Sequence, residues 1–550
     1  MPLKKLPADE RAPLLGDGGV RSGRESCAGE DVENGHDSTP ASNVPGEVKE
    51  GTPDMAKKMH LLLPAVGVGI YLVAIDQLLT VAMYTKIGNE LDALNNISWV
   101  ATSYFLTLTS FQPLYGKLSD IFGRKECLLF SYAVFGIGCL GCGLAQDMVQ
   151  LCVFRAVSGI GGGGMNSVVA ILMSDLVPLR DRGIWQGYLN IIYAAGTSTG
   201  APLGGLWADS LGWRWSFIAQ TPLCAAAWLA VYFVLDLPPT SHDHWLSKLR
   251  RVDFLGALTL VSAVFALLVG LDSGPNLGWT NPVTISSLGL TIPLFALFIL
   301  TEVRIAANPF APARIIFDPN LFACYLANFF GNAGYYGTVF FLPLYFQAVE
   351  GYSATMSGIL LVPAMICNVV ASLAGGWIMK RTGRFYWVTV AGFGVLFLSM
   401  LPLMLSIRYR STAWAVIGMV MSSGGSGSGI TTTLVGLLAH TAKEDSAVAV
   451  ACSYLFRSLG SSIGISTSSA VLQQVLRLQL FARLDGNEAH QIEERVRESL
   501  DIIKQLPARM AEQVRSSYQV AILGAFAPTL LFLSACLCVT FLVKEKSLKK

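Results

Sequence analysis

The chain has 550 residues, of which 53% are hydrophobic and only 14% charged, with a mean hydropathy of +0.52. Soluble globular chains carry about 25% charge, so most of this one is built to face lipid or other buried helices. A net charge of +2 excludes the strongly basic character that a nucleic-acid binder needs.

Residues 1–58 form the first unit, a tail expected on the cytosolic side. Its first 55 residues are rich in Gly, Ser, Pro and Glu and short of aromatics, a composition that stays disordered. No apolar core follows Lys4-Lys5, so a cleaved signal peptide is not expected. Within the tail, Glu10 stands four positions before Leu14-Leu15. That spacing resembles the acidic dileucine signal read by cytosolic adaptor complexes, which in fungi often routes membrane proteins to the vacuole.

Apolar segments then follow one another, each long enough to cross a hydrocarbon core of ~30 Å. They lie near 61–83, 97–116, 127–146, 149–173, 184–208, 215–236, 254–271, 283–302, 320–347, 355–378, 386–406, 413–437, 447–474 and 518–543. The fold class expected is an all-α polytopic membrane protein with 14 transmembrane helices. An even count returns the C-terminus to the side of the N-terminus. Basic residues cluster in alternate loops: Arg124 and Lys125, Arg180 and Arg182, Arg250 and Arg251, Lys380, Arg381 and Arg384, and the tail 544–550. By the positive-inside rule those loops and both termini are cytosolic. Lys86, Arg214, Arg408 and Arg410 fall on the other side, the last pair against the rule. Asn96-Ile97-Ser98 is a glycosylation sequon expected to stay unused at the membrane surface. The long loop 475–517 carries an amphipathic stretch, Glu488–Leu506, expected to lie on the far surface.

The most specific sequence is Gly116–Lys125, GKLSDIFGRK, between segments 2 and 3. Gly116, Leu118, Asp120, Gly123, Arg124 and Lys125 match, position by position, the loop between helices 2 and 3 of the major facilitator superfamily, which they resemble. Ala374–Arg384, AGGWIMKRTGR, repeats the pattern after segment 10, without an acidic counterpart to Asp120. The repeat implies two six-helix halves, 59–236 and 320–543, with two helices inserted at 237–319. In the family this loop locks the cytosolic gate.

Asp76 interrupts an otherwise apolar first segment, with Gln77 and Thr80 nearby. A carboxylate there costs at least about 2.5–3.5 kcal/mol on insertion scales. In such a place it can be charged in one state and neutral in another, as proton coupling requires. Arg155, in segment 4, must face protein or water and is the expected partner of Asp76. Arg457 is the comparable charge of the second half. Gly196, Gly200, Pro202, Gly204 and Gly205 form GTSTGAPLGG, which resembles the helix-5 motif of proton antiporters with one residue inserted between Gly200 and Pro202. Polar residues near mid-membrane are the candidate substrate contacts: Asn166, Asn190, Tyr193, Asn328, Asn332, Tyr335 and Tyr336.

Gly161–Gly164 and Ser422–Gly429 read as close-packing faces, because no G-K-[ST] follows either. No nucleotide site, metal pattern or nucleophile–base set is apparent, and the cysteines read as small buried hydrophobes. Energy is therefore expected from a proton gradient, with no cofactor. Asn95–Lys125 and Phe341–Leu361 resemble the fungal vacuolar basic amino acid transporters of the 14-helix drug:proton antiporter branch. The resemblance implies a monomer moving a small cationic substrate (lysine, arginine or histidine) into the vacuole in exchange for protons. The alternatives are a plasma-membrane multidrug or siderophore antiporter, or a nutrient sensor that does not transport.

Overall fold

The computed structural model describes residues 53–176, 182–235, 254–305, 313–442, 445–483, 496, 500 and 502–546. The described residues are helices joined by short turns, with no strand among them. The dileucine residues Glu10, Leu14 and Leu15 lie outside them.

The first half contains α1 (Pro53–Glu90), α2 (Ser98–Phe122), α3 (Arg124–Leu144), α4 (Met148–Leu176), α5 (Arg182–Ser210), α6 (Trp213–Ile218) and α7 (Gln220–Val234). Next come α8 (Phe254–Leu277), α9 (Pro282–Leu300) and the short α10 (Ala313–Ile316). The second half contains α11 (Pro319–Val339), α12 (Leu342–Ala348), α13 (Ala354–Thr382), α14 (Tyr386–Leu398), α15 (Met400–Tyr409), α16 (Thr412–His440), α17 (Ser446–Arg483), α18 (Ile502–Gln505) and α19 (Ala508–Thr540). If α6–α7, α11–α12 and α14–α15 are each taken as one broken rod and the four-residue α10 and α18 are set aside, the remaining rods among the described residues fall near the fourteen expected segments. Ten helices are long and apolar enough to cross a membrane by length and composition; α2, α5, α11–α12 and α16 are more polar and fall outside that group. α17 runs on to Arg483 and α19 starts at Ala508, so the last long loop is shorter than expected. Most of Glu488–Leu506 lies outside the described residues.

Local chemistry sets several boundaries. Asp318 accepts from the backbone N–H of Asn320 and Leu321 at 2.9 and 3.2 Å, with Pro319 opening α11. Ser353 caps α13 through Met356 N. Gly123, between α2 and α3, has φ of 108°, and Gly383, between α13 and α14, has φ of 70°. Both copies of the loop motif therefore place glycine where an L side chain would be strained.

One packing pattern occurs twice among the described helices. α1 lies along α5 as α11 lies along α17; α2 and α3 pack on α4 as α13 and α14 pack on α16. The halves meet through two further pairs, α5 with α13 and α17 with α2. In lipid there is no hydrophobic drive between helices, so close packing of small residues has to hold them. A Cβ on Gly196, Gly200 or Gly204 would stand 2.7 Å from the carbonyl oxygen of Tyr71, Ile75 or Leu79 on α1. In the second half, a Cβ on Gly460 or Gly464 of α17 would stand 2.2 or 2.1 Å from that of Phe329 or Ala333 on α11.

α8 packs on α2 and α17 at the edge of the seam, and α9 packs on α8. α9 exposes Ile285, Leu290, Ile292 and Ile299, and α3 exposes Phe130, Ile137 and Leu144. Such continuous apolar faces belong against hydrocarbon.

Candidate functional site

α1 carries Asp76 inward, and α4 brings Arg155 against it. The Arg155 Nη1 donates to Asp76 Oδ2 at 2.6 Å, and both side chains are buried, at 1% and 0% exposure. Arg155 Nε donates to Val100 O at 3.1 Å, and the Gln220 amide, at 3.4 Å from Asp76 Oδ1, also donates to Ser216 O at 3.1 Å. The guanidinium lies 4.4 Å from the Tyr104 ring centroid and 5.6 Å from that of Phe217. The guanidinium is thus held on four sides, by carboxylate, carbonyl and two aromatic faces. Removing one partner of such a pair costs about 3–5 kcal/mol, because the other charge stays buried.

Gln77, next in the chain, faces a different space. A cavity of about 90 Å³ lies between the halves, with room for several waters or a small polar group. Asn166, Tyr193, Asn332, Tyr336 and Arg457, all expected from the sequence, line it. Gln77, Gln112 and Ser458, which sequence reading missed, line it too. Gln77 Oε1 accepts from Tyr193 OH at 2.9 Å and from Tyr336 OH at 3.5 Å, and the two hydroxyls are 3.3 Å apart. This cluster links the halves. Beyond it, a void of about 10 Å³ touches Gln77, Tyr336 and Arg155, space for one water at most. Asp76 does not line the cavity, so the amide and two phenols stand between cavity and ion pair.

Other expected residues take other places. Asn328 donates to Ser453 Oγ at 3.2 Å and accepts from Thr433 Oγ1 at 3.0 Å, tying α11 to α16 and α17. Tyr335 meets Ser423 Oγ at 3.2 Å. The side chains of Asp120 and Asn190 lie outside the described set. Arg457 sits on α17, the counterpart of α5, whereas α4 corresponds to α16. Its counterpart in the first half therefore lies on α5, and Arg155 on α4 is not its repeat mate.

The two ends of the bundle differ. At the end away from the α2–α3 turn the halves are held by several contacts. Asp209 accepts from Thr355 N and Thr355 Oγ1 at 3.2 and 2.7 Å and pairs with Lys86 at 3.3 Å. Thr85 donates to Gln347 at 2.5 Å, Leu500 N to Asn89 Oδ1 at 3.0 Å, and Tyr84 stacks on Phe340 at 5.0 Å. Arg214 pairs with Glu90, and Arg410 with Glu512 at 2.8 Å. Lys86, Arg214 and Arg410, three of the four cations expected on this side, are therefore paired with carboxylates. At the α2–α3 end a small apolar cluster of Ala170, Leu434 and Val450 bridges the halves beside the cavity.

The motif loop lies at that second end. Arg124 pairs with Asp175, at the end of α4, at 3.0 Å and also donates to Ser119 Oγ. Lys125 lies 5.2 Å from the Tyr232 ring centroid. Gly116 approaches Ala451 of the other half, where a Cβ would stand at 3.4 Å. Asp175 was not singled out in the sequence, since nothing local marks it as the partner of a loop 51 residues away. Arg124 and Asp175 are partly exposed, at 17% and 41%, so the pair adds little stability and acts on the position of the loop. Arg124→Ala is expected to lower maximal transport about tenfold with KM changed less than about twofold. Exchanging the two residues should restore part of the rate. An unchanged rate in Arg124→Ala would remove the pair from gating.

Two groups of helices with like packing, a polar cavity on their seam and a buried ion pair beside it have the arrangement of a polytopic membrane transporter. The match to the Major Facilitator Superfamily extends over residues 66–465, and the chain belongs to that superfamily. It is 39% identical over 476 residues to the vacuolar membrane amino acid uptake transporter fnx2 of Schizosaccharomyces pombe, covering 86% of this chain and 81% of that one. It is 36% identical to the multidrug resistance protein fnx1 of the same yeast, covering 88% and 92%. It is 33% identical to vacuolar basic amino acid transporter 2 of Saccharomyces cerevisiae, covering 71% and 85%. Among solved structures, a bacterial homolog of the human lysosomal transporter Spinster, in an inward-facing and occupied conformation, matches with a TM-score of 0.57 at 15% identity, covering 90% of this chain and 97% of that one.

Proposed function

We propose that the chain is a proton-coupled antiporter that moves basic amino acids (lysine, arginine and histidine) into the vacuole. The α2–α3 end would face the cytosol and the opposite end the acidic lumen, with both termini cytosolic. The observation that carries this reading is the seam cavity beside a buried Asp76–Arg155 pair, with Gln77, Tyr193 and Tyr336 between them. Substrate would enter past Ala170, Leu434 and Val450, the thinner of the two closures. A proton reaching Asp76 from the lumen would weaken its hold on Arg155 and loosen α1 against α4. The names of the two vacuolar relatives and the basic excess in the α2–α3-side loops support the substrate and the orientation. The proton gradient would be the sole energy source, with no cofactor, and one chain would be the working unit.

Uptake of labelled lysine, arginine and histidine into proteoliposomes under an imposed pH gradient tests the reading. Gradient-dependent uptake of any of the three is the expected result. The relative named for multidrug resistance favours a second reading, export of lipophilic cations. Movement of tetraphenylphosphonium in place of all three amino acids would install that reading instead. For delivery, Leu14→Ala with Leu15→Ala should shift most of the protein from the vacuole to the plasma membrane; unchanged targeting in cells would make the Glu10–Leu15 stretch incidental to sorting.

A further inference from the structure

Arg457 is the one formal charge lining the seam cavity among the described residues, and no carboxylate faces it there. It arises from α17, and its guanidinium lies 5.0 Å from the centroid of the Tyr454 ring, one turn earlier. Its Nε is buried and donates to no acceptor among the described residues. The neighbouring polar groups have other tasks. Ser458 Oγ donates to Gln112 Oε1 at 2.9 Å, and Ser461 Oγ to the Arg457 carbonyl at 3.0 Å. A guanidinium does not lose its proton in a protein, so the cavity holds a fixed positive charge with unused donors. Leaving such a group without a counter-charge is unfavourable, and the cost is recovered when an anionic group docks.

We propose that Arg457 is the anchor for a substrate carboxylate, and that the cavity selects ligands by carrying that group. This rests on the cavity being the transport site. The guanidinium fork matches two carboxylate oxygens, which a lysine ammonium in its place cannot do. Across the cavity, Asn166, Gln112, Asn332 and the Gln77–Tyr193–Tyr336 cluster are neutral acceptors and donors. They suit an amine or ammonium without fixing a charge. The arrangement therefore fits a zwitterion, held by its carboxylate at α17 and by neutral groups at its other end. A lipophilic cation without a carboxylate meets a like charge and no counter-charge. A basic amino acid is thus distinguished from a cationic drug at the backbone carboxylate, and not by an acidic residue reading its side chain.

The test is ligand-induced thermal stabilisation of the purified full chain, which needs no transport. Lysine is compared with cadaverine, and histidine with histamine, each pair differing by the carboxylate. Citrate and tetraphenylphosphonium complete the set of probes. Carboxylate-bearing probes should stabilise the wild-type chain and their counterparts should not. In Arg457→Gln the apparent affinity for the carboxylate probes should fall at least tenfold, and Arg457→Lys should keep part of it. The melting temperature of the unliganded variants checks that they fold. Cadaverine or histamine acting as well as lysine or histidine would overturn the proposal, as would undiminished affinity in a folded Arg457→Gln, or no response to any carboxylate. Stabilisation by citrate but by neither amino acid would uphold the anchor while rejecting the amino acid reading. Amino acid binding that ignores Arg457→Gln would do the reverse.

Discussion

Asp76→Asn is expected to lower pH-gradient-driven uptake at least a hundredfold and, at the same time, to destabilise the protein. The second effect comes from the geometry. Asp76 is the carboxylate partner of Arg155, and both are sealed from solvent. Neutralising Asp76 leaves a buried guanidinium with neutral acceptors and aromatic faces but no counter-charge, at a cost of up to about 3–5 kcal/mol. Loss of uptake alone would therefore not distinguish a coupling role from poor folding. The double variant Asp76→Asn with Arg155→Gln separates them. It removes both charges, so its melting temperature should recover most of the loss, while gradient-driven uptake should stay absent. Full uptake in Asp76→Asn, or recovery in the double variant, would take the pair out of the coupling mechanism. The rescue of stability without rescue of transport is the expected signature.

The second large effect is steric. Gly358 of α13 faces α5 so closely that a Cβ there would stand 2.4 Å from the Ala201 carbonyl oxygen and 2.8 Å from its carbon. Gly205 makes the reciprocal approach, with a Cβ 2.7 Å from Ala354 O and from Thr355 Cα. Both obstacles are backbone, so neither can be swung aside. Gly358→Val should force the halves apart at this seam and abolish uptake, by at least about a hundredfold. The same displacement should part Asp209 from Thr355, one turn away. The buried Ser357, replaced by cysteine, reports it. Its labelling by a membrane-impermeant maleimide should be slow in the otherwise unchanged chain and fast beside Gly358→Val. Gly394 is the control, because a Cβ there meets nothing within 4 Å. Gly394→Ala should leave uptake and labelling as they were. Normal transport in Gly358→Val would mean that the seam is not part of the moving interface.

These expectations show how the glycines of the helix-5 motif act. Gly196, Gly200 and Gly204 hold α5 to α1, on the flank of the helix that carries Asp76. Gly205, beside them, holds α5 to the other half. One helix thus joins the ion pair to the seam. The extra residue between Gly200 and Pro202 does not disturb this, since Ala201 is the residue that meets Gly358.

Much of this molecule was determined by the sequence alone. Long apolar runs with few charges leave a membrane bundle as the one way to satisfy the backbone. Gly116–Lys125 and its echo at Ala374–Arg384 revealed the repeat, because a tight polar turn needs glycine at a positive φ and basic residues at its edge. Asp76 and Arg155 declared themselves because a charge in an apolar helix is costly enough to require a reason.

What only the tertiary structure decided depends on which helices meet, and helix periodicity does not contain that information. Asp175 became the partner of Arg124 because α4 ends beside the α2–α3 turn. Gln77, an ordinary amide in sequence, became the divider between cavity and ion pair through two tyrosines on α5 and α11. Asn328, equal in sequence to Asn332, went to a helix contact while its neighbour faced the cavity. Arg457 was matched to Arg155 by charge, but the packing of α17 on α11 makes its helix the counterpart of α5 and not of α4. Residues 51 to 259 positions apart in the chain make these contacts, and their juxtaposition is set by close packing of backbones, which a single sequence records only as scattered glycines.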